Sequence, residues 1–194
     1  MGDDPVERRE TVELVTDELE RMSRFVDDLL LLAKARQPDF LQLEALDLDD
    51  FARELCLKAQ ALAPRDWQLE ARSARGRVVA DRQRLTQAVM NLAVNAARHT
   101  DPDDVIEIGA ELGGGLARLW VRDDGPGVAP AERERIFERF AQAGGKRRRA
   151  DGAGLGLAIV RAIAEAHGGR VELDTIEAGG SRFTVIIPQE AKTE

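Results

Sequence analysis

Three short stretches carry side chains suited to chemistry on a flat, phosphorylated ligand. In NLAVNAARHT, Asn91 and Asn95 stand four residues apart and Arg98 follows about a turn later, so three polar groups share one side of a helix otherwise built of Leu, Ala and Val. An amide oxygen can ligate Mg²⁺, a hard cation that keeps waters and shares phosphate oxygens, and a guanidinium can meet a phosphate directly. An exposed polar face or a capping asparagine would use the same residues. In VRDDGPGV, Asp123 ends a strand ahead of Gly125, Gly127 and Val128. A carboxylate there can accept from an exocyclic amine such as that of adenine, although an ordinary Asp-Gly-Pro-Gly turn reads the same way. In DGAGLGL, Gly152, Gly154 and Gly156 run into an apolar helix, whose N-terminal N–H groups favour phosphate. Structural turns also use glycine, so this stretch alone leaves both readings open. It is neither G-x-G-x-x-G, because Leu157 stands where the last glycine would be, nor a P-loop.

The elements that must hold these groups are legible from hydrophobic spacing. Val12, Val15, Leu19, Met22, Val26, Leu29 and Ala33 alternate three and four residues apart, the seam of a helical bundle, and Phe25, Leu30 and Leu32 widen it. The spacing predicts one long helix from Val6 to Arg36, bracketed by Pro5 and Gln37-Pro38. Asp47 caps a helix predicted over Leu48 to Ala63, and strands are expected at Trp67 to Ala71 and Arg77 to Ala80. The asparagine helix spans Arg82 to Arg98. Strands Val105 to Leu112 and Leu116 to Arg122 flank a glycine hairpin turn, followed by a short helix from Ala131 to Phe140. After a Gly- and Arg-rich loop come the helix ending at His167 and strands near Arg170 to Asp174 and Arg182 to Pro188. Helices on one face of a mixed sheet are the expected architecture.

Composition bounds the partners. With 28 Lys+Arg against 36 Asp+Glu the net charge is -8, a poor match for nucleic acid. Cys56 is the only cysteine, which excludes an intramolecular disulfide and fits a reducing compartment. No apolar run is long enough to insert in a membrane and the acidic N-terminus lacks a signal peptide's basic region, so a cytoplasmic chain is expected, whatever anchors a longer parent. Lys146-Arg147-Arg148-Arg149, the one concentrated basic run, taken alone reads as a solvated loop.

Taken in order, NLAVNA, DDGPG, IFERF and GAGLGL resemble the N, G1, F and G2 boxes of sensor histidine kinases, relatives of gyrase, heat-shock chaperones and mismatch-repair ATPases. HGG and EAGGSRFTVIIP resemble the turn after the last helix and the closing strand of that domain. The resemblance implies an α+β, two-layer α/β sandwich of the Bergerat ATP-binding type over residues 43–194, with a lid at 141–151, preceded by a dimerisation element at 1–42. It implies ATP and Mg²⁺ as ligands, Asp123 as the adenine reader, Asn95 as the metal ligand and Asn91 and Arg98 near the phosphates. His99, Val128, Phe140, Leu155 and Leu157 would border the nucleotide, with Gly125, Gly127, Gly152, Gly154 and Gly156 facing it. Lys146, Arg147, Arg148 and Arg149 would touch the triphosphate from the lid. His167 is expected to end its helix, a structural role.

By the same resemblance, hydrolytic relatives carry a glutamate where Asn91 stands, and an amide cannot take a proton from water, so rapid hydrolysis is disfavoured. Phosphoryl transfer needs mainly alignment and charge neutralisation. The acceptor motif, similar to H-E-L-R-T-P, is absent. DELERMSRFVDDLLLLAKAR resembles the second helix of the acceptor hairpin, so the acceptor histidine is expected on another chain or a longer parent, with a homodimer through the first helix and a response regulator downstream. A serine kinase of the anti-sigma-factor type and a non-catalytic nucleotide-binding dimerisation module are the alternative readings.

Overall fold

The computed structural model describes residues 5–141, 154–176 and 179–190. Lys146, Arg147, Arg148, Arg149 and Gly152 lie outside the described residues, as does most of the expected lid.

The first helix, α1 (Pro5–Lys34), forms nearly as its heptads predict. Its C-terminal end docks: Leu31 and Leu32 are buried, and Phe25 and Leu29 pack against the core. The heptad seam before it stays in solvent, with Val12, Val15, Leu19, Met22 and Val26 between 51% and 61% exposed. A four-residue strand, β1 (Glu44–Asp47), absent from the sequence reading, pairs antiparallel with β3 (Arg77–Ala80). Between them lie α2 (Leu48–Gln60) and β2 (Asp66–Ser73). Asp47 caps α2 as expected, its carboxylate accepting from Asp50 N–H at 3.1 Å.

The main sheet has the order β2-β4-β5-β7-β6, with β4 (Val105–Gly113), β5 (Leu116–Asp123), β6 (Arg170–Thr175) and β7 (Ser181–Pro188). β2 runs parallel to β4 and the other pairs are antiparallel, so the sheet is mixed. Alternation sorts its faces. Ile106, Ile108, Leu119, Val121, Phe183 and Val185 are buried in the core shared with α2, α3 (Arg82–His99) and α4 (Gly156–Ala166). On the opposite face Trp120 lies flat over Gly109, its indole N–H donating to Glu107 at 2.9 Å and the Arg182 guanidinium stacked 4.0 Å from its ring. A tryptophan and arginine stems thus seal the face that no helix covers.

The predicted helix from Ala131 to Phe140 is corrected. Two 3₁₀ turns, Pro130–Glu132 and Arg135–Phe137, take its place and the chain is extended at Glu138. Ile136 is the only buried residue there, so no apolar stripe exists to hold a regular helix against the core. The helix predicted to reach Ala63 stops at Gln60.

Each of the five exposed seam residues would gain on the order of 1.5–3 kcal/mol on full burial. The chain is therefore expected to self-associate with increasing concentration in sedimentation velocity. Leu19→Asp with Met22→Asp should abolish this and leave the thermal midpoint of the sheet unit unchanged; association that survives both changes would mean the seam is not the contact.

Candidate functional site

Three elements converge on the end of β5. Asp123 closes that strand, and its residue is 4% exposed. Its carboxylate accepts from Gly125 N–H at 3.0 Å, and the Ser181 backbone N–H also holds it. Burial pushes its pKa above the ordinary carboxylate value, the two backbone donors pull the other way, and Asp124 and Asp104 add to the rise. The start of β7 reaches it because Gly180, at φ +104, packs its backbone against the Asp123 carbonyl where any Cβ would overlap. Gly125 is fixed from the other side: a Cβ there would stand 2.7 Å from the His99 carbonyl at the end of α3.

Position by position, the expected site residues fall into groups. Asn91 and Asn95 are half-buried on α3, and the Asn91 amide stands 3.5 Å from the Gly156 carbonyl at the start of α4. Asn95 makes no side-chain hydrogen bond among the described residues. Arg98 and His99 are exposed at the α3 C-terminus. Gly127, at φ +74, lies beside Thr175 and the Gly180 carbonyl, and Val128 packs on the core. Leu155 is 1% exposed, a core residue that can meet a ligand only through its backbone. Leu157 is half-buried against the core. Phe140 turns away from this group. At φ 65 it donates its N–H to the Gly154 carbonyl at 3.0 Å, and its ring stands 6.5 Å from that of Phe25 on α1. That hydrogen bond draws the two ends of the undescribed segment together.

The two ends of α4 differ. Among the described residues no side chain caps its N-terminus and no acid lies in its first turn, whereas α2 has the Asp47 cap followed by Asp49 and Asp50. Uncapped first-turn N–H groups with the helix dipole behind them suit an anion. Gly156 is not required by packing, since its nearest neighbours to a built Cβ are Asn91 atoms at 3.9 Å. A hydrogen there keeps the space between α3 and α4 open.

Sequence reasoning missed three contributors. The Ser181 backbone donor reaches Asp123 only through the β5–β7 register, and Thr175, whose Oγ1 is buried without a hydrogen-bond partner, comes beside Ser181 only through the β6–β7 register. Arg65 closes the α3 C-terminus, donating to Ala97 O at 3.2 Å, Thr100 O at 3.0 Å and Thr100 Oγ1 at 3.3 Å.

Residues 80–191 match the family described as histidine kinase-, DNA gyrase B-, and HSP90-like ATPase. The chain belongs to this ATPase family. Among its relatives, sensor histidine kinase ZraS of Salmonella typhi is 35% identical over 192 residues, covering 97% of this chain and 40% of ZraS. The chain thus spans about two-fifths of the length of such curated relatives. Full-length ShkA in complex with AMPPNP superposes with a TM-score of 0.81 at 30% identity, over 100% of this chain and 41% of ShkA. Histidine kinase ThkA in complex with the response regulator protein TrrA gives 0.77 at 27% identity, over 100% and 55%. Among the described residues no helix is long and apolar enough to cross a membrane.

A buried carboxylate that serves a ligand makes opposite demands on binding and stability. Asp123→Asn is expected to weaken binding of a fluorescent ATP analogue by about 10- to 100-fold, the loss of one buried charged hydrogen bond. The raised pKa means the folded state holds this proton more readily than the unfolded chain, so ionised Asp123 costs stability as pH rises above the ordinary carboxylate range. The same variant should therefore melt no lower than wild type at pH 7; a marked drop in its thermal midpoint would show that the carboxylate serves the fold. Gly156→Ala should stabilise by roughly 0.5–1 kcal/mol in denaturant melts while weakening nucleotide binding. Unchanged binding would mean that α4 does not approach the phosphates.

Proposed function

We propose that this chain is the ATP-binding catalytic portion of a two-component sensor histidine kinase, passing the γ-phosphoryl group of ATP to a histidine carried on a separate helix. The observation that carries the reading is that the turn holding the buried Asp123 carboxylate abuts the C-terminal end of α3 while the start of α4, uncapped among the described residues, abuts Asn91 on the same helix, so that Asn91, Asn95 and Arg98 lie on the helix linking the two. In this reading Asp123 accepts from the adenine amine, the backbones at Gly125 and Gly127 lie along the base, and Thr175 Oγ1 and Ser181 border it. The first turn of α4 takes a phosphate and Arg98 a second.

Asn95 is the proposed ligand of Mg²⁺. Among the described residues no cluster of three acidic, histidine or cysteine side chains could hold a metal alone, and one amide oxygen completed by water and phosphate oxygens suits this cation. When bound, the ion would neutralise charge developing on the transferring phosphoryl group. Asn91 offers no base for water, so the chain's own residues orient and screen the phosphates while the incoming histidine supplies the nucleophile.

The unpartnered seam of α1 supports a homodimer or a pairing with the acceptor helix, and makes a serine kinase built without such a helix the poorer match. The relative ThkA with TrrA supports a response regulator as final acceptor. A reducing, cytoplasmic setting fits the single buried Cys56, on a parent that is membrane-anchored or not.

Incubation of the chain with γ-labelled ATP and Mg²⁺, with and without an acceptor-histidine helix hairpin from a related kinase, tests the reading. Acid-labile, base-stable label is expected on the hairpin alone. Label on the chain itself would require His99 or His167 as acceptor, and bound nucleotide with no transfer would make the chain a binding module.

A further inference from the structure

The segment joining α1 to β1 is fastened at the buried carboxylate of Asp81. Asp81, 5% exposed, is the N-cap of α3, its Oδ1 accepting from Arg84 N–H at 2.9 Å. Its Oδ2 accepts from Gln42 N–H in the connecting segment at 2.8 Å. Its own N–H donates to His167 Nε2 at 3.0 Å. That bond fixes the ring proton on Nδ1, which donates to the Ile163 carbonyl at 2.8 Å and so closes the C-terminus of α4. A second fastening lies alongside, where the Arg84 guanidinium stands 4.6 Å over the ring of Phe40. Through these contacts the path from α1 is tied to the start of the helix bearing Asn91 and Asn95 and to the end of the helix whose start is the anion site.

We propose that Asp81 and His167 are positioning residues that set how the nucleotide unit is carried on α1, and so govern delivery of phosphate to a docked acceptor without contributing to nucleotide affinity. The inference rests on the kinase reading above for its consequence, and on the hydrogen-bond geometry alone for its mechanism. Neither residue needs to touch ATP to act in this way, because both sit at the ends of α3 and α4 remote from the Gly156 junction.

Protonation of His167 reverses the latch, since Nε2–H would face Asp81 N–H. Asp81 faces the ring from the N-cap of α3, and Arg36, Glu138, Arg139, Arg161 and Glu165 line the groove His167 borders, from the turn after α1, the segment after the second 3₁₀ turn and α4 itself. Burial, only partly countered by the Ile163 carbonyl and Asp81, keeps the ring's pKa below the ordinary histidine value. The neutral ring and intact latch therefore prevail above that value and are lost as pH falls through the lowered pKa.

Asp81→Asn keeps one oxygen for the α3 cap and turns an amide donor toward Gln42 N–H. Gln42→Pro removes that N–H and leaves Asp81 intact, guarding against a folding defect at Asp81. In both variants of the full chain, exchange in the 37–43 segment and tryptic cleavage after Arg36 are expected to quicken about tenfold. Transfer to the added hairpin should fall about fivefold with fluorescent-ATP affinity unchanged. His167→Gln, whose amide oxygen accepts at every pH, should restore slow exchange and remove its acid dependence. Wild-type exchange rates in both Asp81→Asn and Gln42→Pro would overturn the latch. Fast exchange with unaltered transfer, or a loss of nucleotide affinity, would overturn its positioning role. If wild type transfers nothing, the kinase reading fails, and the exchange rates still decide whether the latch exists.

Discussion

A carboxylate buried at the end of the central strand is the constraint around which this fold is arranged. An ionised group shielded from water is tolerated only where fixed dipoles replace its hydration, and Asp123 has the N–H groups of Gly125 and Ser181. Supplying them requires β7 to begin beside the end of β5 and the end of α3 to press its His99 carbonyl against Gly125. The β4-β5-β7 order gives β5 a partner on each edge, and the Gly180 backbone allows the close approach. Sheet order, helix placement and two glycines thus accommodate one buried carboxylate whose charge costs the fold stability.

The asymmetry of α4 follows the same logic. Its C-terminus is fully occupied: His167 N–H reaches Ile163 O, Gly168 N–H reaches Glu165 O, Gly169 N–H reaches Ala164 O, and the His167 ring adds a further bond. Its N-terminus has no side-chain cap among the described residues and faces Asn91 across a gap that Gly156 leaves open. A helix held firmly at one end can present the other to an anion without loss of register. Asn91 at this junction, in place of a base, favours transfer over hydrolysis in the proposed kinase.

Much of this was legible in the residues. The α1 heptads, the Asp47 cap, the apolar positions of α3 and the glycine turn between β4 and β5 are local patterns, and the elements formed where those patterns lay. The four boxes pointed to Asp123, Asn91, Asn95 and the α4 start through their order along the chain, since each box alone also reads as an ordinary turn or polar face. What escaped was non-local. β1 is four residues long and exists only by pairing with β3. Thr175 and Ser181 join the site through register alone. Arg65 acts on carbonyls 32 and 35 residues away. The helix expected from Ala131 to Phe140 did not form, and Phe137 there turns edge-on to Phe183 at 6.1 Å.

The most direct test is a crystal structure of the chain with a non-hydrolysable ATP analogue and Mg²⁺. The account predicts the adenine amine at about 2.7–3.2 Å from an Asp123 carboxylate oxygen, with the phosphates between Asn95 and the first turn of α4. A nucleotide bound elsewhere, with Asp123 still contacting only Gly125 and Ser181, would contradict it.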